Sequence, residues 1–269
     1  MGVRRRTDVH GVNIEDARNV IPVNIGQDGS MRANTEATGG GVGDVPAASG
    51  RAAGGRDKGR YHHGDLRNAL IQAAIELAGE GGPDAVVLRA AARKVGVSAT
   101  AAYRHFDSHG DLLGAVKDYG QQRLVACMEA GGREVHGEGP EGTRRRMMAL
   151  GRGYIRFARQ EPGLFRTAFC RKALGEVGIT EDGSVIEAGG ASGWDTRSFE
   201  MLTETLDEAV AVGLIAPDRR PGAELSAWAM VHGTAMLFLD GPLDTLTEEE
   251  SGYVVDRVLH DVLAGLAAS

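Results

Sequence analysis

The chain has 269 residues, a net charge of −7, and 42% hydrophobic but only 5% aromatic side chains, enough for two domains or one large one with an Ala, Leu and Val core. No apolar run approaches the ~20 residues of a membrane-spanning helix, and the basic opening MGVRRRTDVHGVNIED lacks the apolar stretch of a secretory signal. Two cysteines, Cys127 and Cys170, are too few for a disulfide framework, so a soluble, cytoplasmic protein with no membrane association is expected.

Residues 1–59 are rich in Gly, Ser, Ala and scattered charges, show no sustained period, and predict no fixed fold. One reading is a dispensable tail or a start site placed too early. The other centres on residues 51–60, RAAGGRDKGR, where Arg51, Arg56, Lys58 and Arg60 face a single acid, Asp57. Such a basic arm, continuing through His62, can reach phosphates or the minor groove beside a DNA-binding helix. The acids concentrate later, in TEDGSVIE and LTEEE, so the negative total hides a locally basic approach surface.

A first helix is expected from Asp65 to Ala78, with Leu66, Leu70, Ala73, Ala74 and Leu77 on one stripe and GEGGPD ending it. The apolar-periodic LRAAARKV then meets Gly96, which permits a sharp turn. Val97 can plug the angle, and Ser98 is a good N-cap for a second short helix, Ala99 to His105. That layout is a helix-turn-helix, whose second helix lies in the major groove of DNA. Thr100 can offer a hydroxyl and a methyl to a base. Tyr103 and His105 end in groups that reach phosphates, Arg104 can face DNA or solvent, and Ala102 and Phe106 read as core.

The YHHGDLR opening, the GVSATAAYRHF centre and the DLLGAV continuation resemble the DNA-binding domain of TetR-type transcriptional regulators, over about a fifth of the chain. The resemblance implies phosphate contacts from Tyr103 and His105. Two positions depart from the family pattern. His109 stands where a Lys is common, which makes a contact there weaker and pH-sensitive. Val87 stands where Ser or Thr would cap a helix, a loss of about 1 kcal/mol. The candidate DNA-facing set is Arg60, His62, Arg89, Ser98, Ala99, Thr100, Tyr103, Arg104, His105 and His109.

Further along, helices are expected at 110–130, 147–160, just after Pro162, 194–212, 223–239 and 248–266. Residues 131–146 read as a turn and 174–193 as a Gly-rich acidic surface loop. No strand-like alternation is apparent, so the fold is predicted as all-α. The boundaries expected are a tail over 1–59, a helix-turn-helix domain over 61–109, and a helical ligand-binding and dimerisation domain over 110–269. Trp228, His232 and Gly233 in AWAMVHGTAML, with EPGLFRTAF, resemble a subset of TetR-type regulators whose ligand domain carries a Trp and a His-Gly pair. Met147, Met148, Phe157, Phe165, Phe169, Met201, Trp228 and His232 are candidate walls of an adaptable apolar cavity, each with ordinary core as the plain alternative.

These features together predict a homodimer that binds a palindromic double-stranded operator and releases it on binding a small apolar effector. A helical enzyme acting on a small molecule is the rival reading, but no nucleophile elbow, phosphate loop, dinucleotide fingerprint, metalloprotease motif, metal site or cofactor motif is present. Cys127 and Cys170 read either as a redox pair or as buried free thiols. A ligand-independent DNA-binding protein would not need the roughly 140 residues that follow the linker helix.

Overall fold

The computed structural model describes residues 24–25, 31–32, 63–133, 135–170, 176–179, 185–188 and 196–267. The chain divides into two units, Met1–Gly64 and Asp65–Ser269. Within the first, β1 (Asn24–Ile25) pairs antiparallel with β2 (Met31–Arg32). The basic arm, with Arg60 and His62, lies outside the described residues. The remainder is helical apart from one hairpin, with nine α-helices among the described residues.

The helical head grows from the stripe on α1 (His63–Gly81). Leu70, Ala73 and Ala74 of that stripe are buried, as is Ala78, while Leu66 and Leu77 are half-buried. In α2 (Leu88–Val95), α3 (Ala99–Ala102) and the start of α4 (His109–Arg133), Leu88, Ala91, Ala102, Leu112 and Val116 are buried as well. Phe106 is buried too, with the Arg67 guanidinium 5.1 Å above its ring. Gly96 sits at φ 81, ψ 26, the left-handed conformation that ends α2 and turns the chain. The Ser98 hydroxyl then accepts from the Ala101 N–H at 3.1 Å, an N-cap for α3. Val87 makes no side-chain cap at the head of α2, and burial of Val86 and Leu88 on either side of it offsets that loss.

Several boundaries differ from the sequence expectation. The recognition helix stops at Ala102, because Arg104 and His105 donate to carbonyls only three residues back and tighten the last turn. Residues 131–146 are mostly helix: α4 runs to Arg133 and α5 (Gly139–Gln160) begins at a Pro in its first turn. Glycines and Pro140 suggested a turn there, but Glu141 pairs with Arg144 and Arg145 one turn on and supports the helix. The loop expected at 174–193 contains a hairpin, β3 (Glu176–Ile179) antiparallel to β4 (Val185–Ala188). Its two β-branched runs flank a TEDGS turn sequence, and each is only four residues long, too short for a period test to separate from loop.

The body is arranged around α5, which contacts α4, α6 (Pro162–Ala168), α7 (Thr196–Ala211), α8 (Ala223–Asp240) and α9 (Glu248–Ala267). Gly153 lets α5 lie close on α4: a Cβ there would stand 2.7 Å from Met128 Cα. Ion pairs join the outer helices, Arg123 to Glu161 at 2.6 Å and Arg166 to Asp240 at 2.5 Å among them. At its N-terminal end α6 also meets the head. A Cβ on Gly163 would overlap the carbonyl oxygens of Ala78 and Gly79, which end α1.

The two glycines therefore tolerate different changes. At Gly96 the space is open and the torsion is the constraint, so Gly96→Asn should lose well under 1 kcal/mol and Gly96→Val ~1–3 kcal/mol. At Gly163 space is the constraint, and even Gly163→Ala should lower the denaturant midpoint. Equal losses for Asn and Val at Gly96 would contradict this account.

Candidate functional site

The turn between α2 and α3 sets one polar surface. Arg89, Ser98, Thr100, Tyr103, Arg104 and His109 are exposed there, while Ala99 and His105 are half-buried. Tyr103 leaves 47% of its surface in water, although its neighbours Ala102 and Phe106 are fully buried. The core thus fixes the helix while its outer side chains stay available. Arg89 and Arg104 make no ion pair among the described residues, whereas Lys94 is held by Glu76 and Glu80 at 2.9 and 3.3 Å. Those two carboxylates raise the Lys94 pKa by hydrogen bonding. Ser108 and Asp111 cap α4 reciprocally, each side chain accepting the other's backbone N–H. They fix the end of the helix on which His109 stands.

The second feature is a cavity of about 80 Å³ in the body, bordered by α4, α5, α7, α8 and α9 and by Phe169 just after α6. Four of the sequence-proposed residues border it: Met147, Met148, Phe169 and Trp228. Phe157, Phe165, Met201 and His232 do not. Phe157 and Phe165 are fully buried in the neighbouring core, and Met201 is buried on α7. His232 lies one layer back, stacked on Phe165 with ring centroids 5.5 Å apart.

Sequence reasoning missed Gln121 and Tyr154. Each interrupts an apolar helical stripe, Gln121 between Val116 and Leu124 and Tyr154 after Met147 and Leu150. A polar group at a core register position was the available signal. Tyr154 joins a buried polar chain: Trp228 Nε1 donates to its hydroxyl at 3.3 Å, and the hydroxyl is hydrogen-bonded to His232 Nδ1 at 2.8 Å. With the imidazole proton on Nε2, His232 Nδ1 accepts from the hydroxyl; with it on Nδ1, the hydroxyl oxygen accepts from both Trp228 and His232. Burial lowers the His232 pKa, and burial also raises that of Tyr154. Gln121 Nε2 donates to the Ala168 carbonyl at 3.1 Å, one of the last carbonyls of α6.

No group of three or more His, Cys, Asp or Glu side chains placed to hold a metal occurs among the described residues. Burial pushes the Cys127 pKa up, away from the reactive thiolate. No described helix is long and apolar enough to cross a membrane.

Family models match both halves of this arrangement. Residues 70–116 match "Bacterial regulatory proteins, tetR family", and residues 147–262 match "Tetracyclin repressor-like, C-terminal domain". The chain belongs to the TetR family. It is a DNA-binding transcriptional regulator. A structure of a Rhodococcus sp. RHA1 protein of unknown function is 28% identical and covers 77% of this chain and 98% of its own, with TM-score 0.60. Two others share the fold. One is a TetR-family regulator from Shewanella sp. PV-4, 15% identical over 76% of this chain and 99% of its own, with TM-score 0.52. The other is a fatty acid metabolism regulator from Clostridium perfringens, 16% identical over 75% of this chain and 100% of its own, with TM-score 0.51. No curated protein matches the chain.

The depressed His232 pKa has a measurable consequence. The native state binds this proton less readily than the unfolded chain, so its stability falls as pH drops through the ordinary value of 6.5 toward the depressed one. Above that window the contribution is constant. Melting curves between about pH 7.5 and about pH 5 should show the loss, and His232→Gln should reduce it while keeping an acceptor for Tyr154. An unchanged pH slope in the variant would contradict the assignment.

Proposed function

We propose that this regulator binds a palindromic operator as a homodimer and releases it when a small, mainly apolar effector enters the body cavity. The observation that carries this reading is that α4 belongs to two sites at once. Its first turns place Leu112, Leu113 and Val116 in the head core, and further along Gln121 and Met128 border the cavity. The segment around α6 supports the same link, with Gly163 against the end of α1 and Phe169 on the cavity wall. A ligand acts only through unequal affinity for two arrangements of the body. Here the arrangement that admits it would change the position of α4 and so the spacing of two recognition helices. Those helices need a separation of about 34–36 Å to read successive major grooves.

Thr100, Tyr103 and Arg104 are the proposed DNA-facing core of the head, flanked by Arg89, Ser98, Ala99, His105 and His109. Replacing Tyr103 by Ala should weaken all duplexes alike, because its partner is a phosphate. Replacing Thr100 should change base preference by ~1–3 kcal/mol at one position. Selection from random duplex DNA with wild type and both variants checks this; absence of any preferred sequence would overturn the reading.

A second copy of the chain is the proposed cover for α8. Met230 and Leu237 leave 44% and 46% of their surface exposed, and Leu225 and Met236 accompany them. Gly233 lies on the same helix with nothing within 4 Å of where a Cβ would stand, which leaves room for a symmetry-related helix. On α9, Val255 and Leu259 are already buried within the chain, while Tyr253 stands 72% exposed. Two-fold symmetry lets one self-complementary surface satisfy both copies. Leu237→Asp is predicted to leave the chain folded and to cost the dimer ~2 kcal/mol or more. Sedimentation should then show monomers with weak operator affinity. A dimer unaffected by this change would place the interface elsewhere.

A further inference from the structure

We propose that the effector is an uncharged, largely apolar molecule that donates a hydrogen bond to Gln121 Oε1. This rests on the reading of the cavity as the effector site. Gln121 borders the cavity and is 3% exposed, and its Oε1 is buried without a hydrogen-bond partner. Its Nε2 donates to the Ala168 carbonyl. Turning the carboxamide over would set two acceptor oxygens against each other, so that bond fixes which end is left open. The open end is an acceptor, and a buried acceptor without a donor is a standing cost that a ligand N–H or O–H removes.

The rest of the wall narrows the chemistry. None of the lining residues carries a charge at neutral pH, and the polar side chains among them are Gln121, Tyr154, Ser198 and Trp228. Tyr154 and Trp228 are bonded to each other, and Tyr154 to His232 behind the wall. A carboxylate or phosphate ligand would meet an acceptor at Gln121 with no lysine or arginine on the wall. An ammonium would be buried without a carboxylate. Both would lose their hydration uncompensated. Methionines at 128, 147 and 148 and aromatic rings at 154, 169, 199 and 228 border the remaining space, which suits a flat or branched apolar body. A cavity of about 80 Å³ has room for several waters at roughly 10–15 Å³ each, so the molecule that fits without expansion is small.

Calorimetric titration of the full chain with p-cresol, p-xylene, p-toluate and p-methylbenzylamine tests this. The four share one ring and differ in a hydroxyl, a methyl, an anion and a cation. Wild type should bind p-cresol about tenfold or more tightly than p-xylene, and the two ions more weakly still. Gln121→Met keeps the side-chain length and removes the acceptor, and it should bring p-cresol and p-xylene to equal affinity. Comparable wild-type binding of p-xylene, or tighter binding of either ion, would overturn the proposal while leaving the cavity as an effector site. Binding of none of the four would overturn both readings. The wild-type series decides the matter even if the Gln121 variant folds poorly.

Discussion

A helix that supplies side chains to two cores cannot move in one without disturbing the other. Helix α4 has 25 residues and at 1.5 Å per residue extends about 37 Å. At its N-terminal end Leu112, Leu113 and Val116 are buried in the head, and at its middle Gln121 holds the end of α6. Arg123 binds Glu161 at the start of α6, so α4 grips that helix near both of its ends. Because α6 also packs through Gly163 on the carbonyls that end α1, the head is held from two sides by elements that border the cavity. Close packing of this kind favours discrete alternative positions over gradual deformation.

The body contributes a cavity whose surface is apolar and whose polar groups are mostly paired. Charges are plentiful in the surrounding helices but are engaged on the outside: Arg152 with Asp256, Arg159 with Glu248. Such exposed pairs contribute little to stability individually. Their effect on the cavity is by position, since they keep charged side chains off its wall.

The head was legible in the sequence because its signals are local. Gly96, Ser98 and the apolar spacing of α1 and α2 each act within a few residues, and the turn forms as those residues dictate. Boundaries set by weaker balances were not. The start of α5 and the β3–β4 hairpin depend on short ion-paired or β-branched runs beside glycines. The cavity was half legible. Met147, Met148, Phe169 and Trp228 could be named as candidates from composition, but which apolar side chains border space and which fill the core is decided by helix crossings between distant segments. Phe157 and Phe165 read the same as Phe169 in the sequence, yet they are fully buried while Phe169 borders the cavity. Gln121 could be noticed as a polar residue at a core register, but its role depends on Ala168, 47 residues away in sequence.

Coupling between the cavity and the head is measurable from either side, because thermodynamic linkage is reciprocal. The most direct measurement is the affinity of p-cresol for the full chain, alone and saturated with its selected operator duplex. Coupling through α4 predicts weaker ligand binding in the DNA complex, by the same factor by which the ligand weakens operator binding. Equal ligand affinity with and without operator would contradict it.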